Sequence, residues 1–128
     1  MATIRLAVLA LLAACTPNVP DKKPPKGGVI ATLSLGSDVA VTVETIGDAA
    51  SASPEALRQY LLSKAQIDSR LALSDGFAAT FTNGTTRETH VLREHRNLWY
   101  RCHAQVTDDA MRDQVIALCK SYKLPAQP

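Results

Sequence analysis

From Leu98 to Val106, apolar and polar side chains alternate without a break. Leu98, Tyr100, Cys102, Ala104 and Val106 would share one face of a strand, and Trp99, Arg101, His103 and Gln105 the other. The same period of two runs through Val29–Leu35, with Val29, Ala31, Leu33 and Leu35 on one side. It returns in Val39–Thr45 with Val39, Val41 and Val43, and Gly36-Ser37-Asp38 between the two predicts a hairpin. Asp75-Gly76 and Asn83-Gly84 are further turn signals. They bracket Phe77–Thr82, where Phe77, Ala79 and Phe81 share a face. Leu71–Leu73 is read as pairing ahead of the first of these turns, and Thr86–His95 as a strand after the second.

Two segments switch to a helical period. Ser53 is placed to cap a helix, with Pro54 at its first position and Glu55 in its first turn. Leu57, Tyr60, Leu61 and Ala65 then form a stripe, and this helix is expected to end near Asp68. The second helix is expected to open on Thr107 as cap, with Asp108 and Asp109 favoured by the positive dipole end. Met111, Val115, Leu118, Cys119 and Tyr122 form its stripe, Lys120 and Lys123 suit its C-terminal end, and Pro125 is expected to stop it. The sum is an α+β fold: an antiparallel sheet of four to six strands packed with two helices.

Cysteine count sharpens this picture. The chain has three cysteines. The strand pattern turns Cys102 towards the core, and the helical stripe does the same for Cys119. Two independent periods aim at one interface, so a disulfide joining the C-terminal helix to the sheet is the favoured reading. The alternatives are two buried thiols, or a metal site that adds His103. The latter is disfavoured, because Cys102 and His103 are adjacent on a strand and point to opposite faces.

The N-terminus carries a different signal. One cation, Arg5, precedes an apolar run over Leu6–Leu12 that is too short to span a bilayer, which takes about 20 residues. The run closes on Leu12-Ala13-Ala14-Cys15, and Thr16-Pro17 then breaks the pattern. These residues resemble the lipobox of bacterial lipoproteins. The resemblance covers residues 1–15 and implies that 1–14 is a signal peptide removed before Cys15. It implies too that Cys15 is the lipidated residue, a thiolate being the nucleophile such a modification needs. Two or more acyl chains, each contributing about 0.8 kcal/mol per buried CH₂, hold a protein on a membrane where one binds only marginally. Family knowledge places an Asp after the cysteine in many inner-membrane lipoproteins. Thr16 stands there, which leans towards an outer-membrane anchor facing the periplasm.

The domain organisation follows. Residues 15–28 read as a tether: Pro17, Pro20, Pro24, Pro25, Gly27 and Gly28 with little apolar content. At about 3.1 Å per residue it reaches roughly 40 Å. Lys22, Lys23 and Lys26 lie within it; solubility is the preferred reading and attraction to anionic lipid the alternative. Residues 29–124 form one globular domain, and 125–128 a tail. The formal net charge of +2 speaks against nucleic acid as a partner.

Candidate chemistry is sparse. His90, His95 and His103 fall between Thr86 and Val106 with Arg87, Arg93, Arg96 and Arg101. Alternation separates His90 from His95, and Glu88 and Glu94 dilute the positive charge. No Gly-x-Ser-x-Gly, His-Glu-x-x-His or phosphate-loop motif is present, and Asn83-Gly84-Thr85 reads as a turn. No catalytic residue, cofactor or metal is assigned. Trp99, Arg101 and His103 are the candidate partner-binding residues, Trp and Arg being frequent at hot spots. For Trp99 the competing reading is core, beneath the first helix.

The expected function is a non-enzymatic lipoprotein of the bacterial cell envelope that binds another envelope protein as an accessory of an envelope or secretion assembly. The alternatives are an immunity protein or inhibitor of a toxin or lytic enzyme, and a hydrolase or ligand-binding protein without a recognisable motif.

Overall fold

A computed structural model describes residues 28–61 and 64–125. The expected signal peptide, Cys15, all of the expected tether but Gly28, and the last three residues of the tail lie outside the described residues.

Six strands form one antiparallel sheet: β1 (Gly28–Leu35), β2 (Val39–Ile46), β3 (Gln66–Leu73), β4 (Gly76–Asn83), β5 (Thr86–His95) and β6 (Leu98–Val106). Their spatial order is β1-β2-β6-β5-β4-β3. The chain lays down the β1–β2 hairpin, crosses to the far edge, and returns by three successive hairpins until β6 pairs with β2. The crossing segment holds a short 3-10 helix (Asp48–Ser51) and α1 (Pro54–Leu61); α2 (Asp109–Ser121) follows β6.

The two faces are packed differently. Helix α2 covers one with Val115 and Cys119, set against Val41, Val43, Ala78, Val91, Cys102, Ala104 and Val106. Val41, Val43, Cys102, Ala104, Val106, Val115 and Cys119 are inward residues of the sequence pattern, to which the structure adds Ala78 and Val91, and the helix is fixed there covalently. Cys102 and Cys119 are joined, with Cα atoms 5.8 Å apart and a sequence separation of 17. The disulfide removes both cysteines from metal binding with His103. Arg93 adds a polar clamp. Its guanidinium donates to Cys119 O and Tyr122 O at the end of α2, where a cation meets the negative end of the helix dipole.

The opposite face holds a second core beneath α1. Leu57, Phe77, Ala79, Phe81, Leu92 and Ala65 are buried together, and Ile46, Ile67 and Trp99 pack around them. Ser53 Oγ accepts from Ala56 N at 3.1 Å, the expected cap. Gly76 begins β4 where no side chain fits, since a Cβ there would lie 1.8 Å from Leu92 O.

Four local expectations are corrected. Helix α1 ends at Leu61, and Asp68 lies within β3; Ala65 mimics the continuing stripe but is buried from the loop before β3. The cap of α2 is Asp108, whose side chain accepts from Met111 N at 2.8 Å, a carboxylate at the dipole end being the stronger acceptor. Tyr122 leaves the helix at ψ 126°, so α2 ends four residues before Pro125. A bulge between Val29 and Ala31 shifts the register of β1. It takes Val29, 61% exposed, out of the stripe that Ala31, Leu33 and Leu35 continue.

A buried row of charged and imidazole side chains as candidate functional site

The face opposite α2 carries a polar row across β2, β6 and β5. It arises from register. Arg96 and Asn97 make a two-residue turn with both residues at positive φ, so His95 pairs with Leu98 and the ladder sets His90 directly opposite His103. On β6, Arg101 and His103 lie on this face by the period of two, and Glu44 of β2 is the neighbour of Arg101. Glu88, two residues before His90, completes the row.

The contacts run continuously through it. Arg101 pairs with Glu44. His103 Nε2 lies 3.1 Å from the same carboxylate. His90 Nε2 lies 3.0 Å from Glu88 Oε1. The two imidazoles stack, with centroids 5.0 Å apart and planes 7° from parallel. Phe81 sets its ring edge-on to His90 at 5.3 Å.

Burial is deep for groups of this kind. Glu44 and Arg101 have side-chain exposures of 7% and 12%. His90 is 1% exposed and His103 25%. Desolvation lowers Arg101 to about 10, so it stays a cation at neutral pH. Desolvation also lowers His103, to about 3, with His90 and Arg101 adding to the effect and Glu88 opposing it. His103 is therefore neutral in the fold. The hydrogen bond from His90 holds the Glu88 carboxyl below its ordinary range. Among the described residues, the buried side-chain atoms His90 Nδ1 and Arg101 Nε have no hydrogen-bond partner.

The three candidate partner-binding residues lie side by side on this face but differ in character. Trp99 packs against the Leu57 core. Arg101 is committed to Glu44 and is not a freely exposed cation. His103, at 25%, is more accessible than Arg101, and within the row only Glu88, at 29%, exceeds it. Of the other cations of the sequence cluster, Arg87 bridges Asp68 and Asp109, and Arg93 holds Asp75 and the end of α2. Sequence reading missed Glu44 and the meeting of His90 with His103, and took Glu88 only as a charge diluting the cluster. A signal for that meeting was present: reading Arg96-Asn97 as a two-residue turn fixes the register that pairs residues 90 and 103.

Beyond the row, towards β1, the face opens. Thr32, Ser34, Ala40 and Gln105 are exposed there and Thr42 is half-buried, whereas α1 packs over β3 and β4. Comparison of the chain with protein-family models, curated proteins and solved structures yields no match.

Proposed function

We propose that the chain is a lipid-anchored protein of the bacterial cell envelope that binds another envelope protein and does no chemistry of its own. The lipobox resemblance at Leu12–Cys15 supports the anchor, and the Cys102–Cys119 disulfide suits an oxidising compartment. One observation carries the binding reading. The half-face running from Thr32 and Ser34 to Gln105 is exposed, and along its inner border Arg101 and His103 are held by the buried Glu44. Rigid strands and locked side chains present a surface at low entropic cost, which is what a specific contact needs.

Site-specific photo-crosslinking in the envelope tests it. A photoreactive residue at Gln105 or Thr42 should give one discrete adduct. The same residue at Ala117, exposed on α2, should give none. Adducts from Ala117 alone, or from no position, contradict the reading.

A further inference from the structure

We propose that Glu88, His90 and His103 form a binding site for a divalent transition-metal cation of the zinc class. One donor atom from each lies within 4.8 Å of the others. The arrangement is built into the sheet: residues 88 and 90 share a face of β5, and residue 103 is the cross-strand neighbour of residue 90. Two imidazoles and a carboxylate are a donor set that zinc takes, with a fourth position left open.

His90 is almost fully buried, and its Nε2 lies 3.0 Å from the carboxylate of Glu88. An ion held between the two takes the place of that hydrogen bond.

The positive charge of Arg101, on the same face, is balanced by Glu44. Ligands around a tetrahedral zinc lie about 3.3 Å apart, so His90 Nε2 and Glu88 Oε1, now at 3.0 Å, need open only slightly. The larger movement falls to His103. Two parallel rings cannot both aim an in-plane lone pair at one ion, so one must turn. His103 at the rim is the one that turns, giving up its contact with Glu44, while His90 is enclosed. Binding therefore breaks the stack.

Calorimetric titration of the metal-free full chain with zinc chloride decides it, with cobalt chloride absorption as a check on coordination. The expected result is one ion per chain with a submicromolar dissociation constant, and a thermal midpoint that rises with zinc. Glu88→Gln and His103→Ala should each weaken binding by more than about 100-fold, since loss of an outer partner alone costs about 10–100-fold. Both residues are partly exposed, so their variants are expected to fold, and a cooperative thermal transition in each reports that they do. Absence of saturable one-to-one binding, or one-to-one binding that both variants retain, overturns the site. The test needs no protein partner, so it fails or succeeds separately from the partner-binding reading.

Discussion

Glu44 on β2 and Arg101 on β6 are direct neighbours across the sheet, and they pair where each side chain is all but closed off from water. Such a pair contributes little net stability over an apolar equivalent, because both ions lose their hydration. Its consequence appears when one partner goes.

Arg101→Ala should therefore destabilise the domain by about 3–5 kcal/mol, leaving a carboxylate buried without its cation. This replaces the expectation for an exposed hot-spot arginine, whose removal costs under about 0.5 kcal/mol. The double variant Glu44→Met/Arg101→Met should recover most of the loss. Urea unfolding of the three proteins checks both statements. A double variant no more stable than Arg101→Ala would count against the pair as the cause.

Stability should fall as the solution is acidified, with His103 responsible for the upper part of the decline. In the fold it is lowered to about 3, from an ordinary value of 6.5. Between those values the unfolded chain holds the extra proton, so stability rises with pH across that window. Glu88 is lowered from 4.5 and adds a further loss below its ordinary value. The groups facing His103 are His90, Glu88, Glu44 and Arg101. His103→Gln should flatten the curve between about pH 6.5 and 5 and leave it unchanged above pH 7. Parallel curves for the two proteins would remove His103 as the titrating group.

Trp99→Ala should lower the thermal midpoint, at a cost of about 3 kcal/mol, the low end for such a truncation because the ring is only partly buried. Trp99 packs with Ile46 and Ile67 against the core under α1, so its loss opens that layer. A melt unchanged from wild type would return Trp99 to the surface reading.

How far the chain declares its fold depends on the period of each segment. The strands β4 and β5 are buried on both faces through their middles and were legible from the turns that flank them, whereas β6 and the stripe Met111–Val115–Cys119 were legible because one face of each is buried and the other less so. That asymmetry aimed Cys102 and Cys119 at each other, and they are bonded. The end of α1 was not legible: Ala65 continues a helical spacing by coincidence, although it is buried from the loop before β3. The bulge at Val29–Ala31 has no side-chain signature either. The polar row was half visible. Alternation placed Arg101 and His103 together, but Glu44 sits 57 residues from Arg101 in sequence, and only the pairing of β2 with β6 brings it there. Pairing between distant strands is a tertiary choice that local pattern does not encode.

The central claim is a lipid-anchored domain that matures outside the cytoplasm, and intact-mass analysis of the chain from the membrane fraction tests it most directly. The account predicts a chain that starts at Cys15, carries a diacylglyceryl thioether and an amide-linked acyl group, and is lighter by two hydrogens at the Cys102–Cys119 bridge. A soluble chain cleaved elsewhere, or one whose Cys15 bears no lipid, would contradict it.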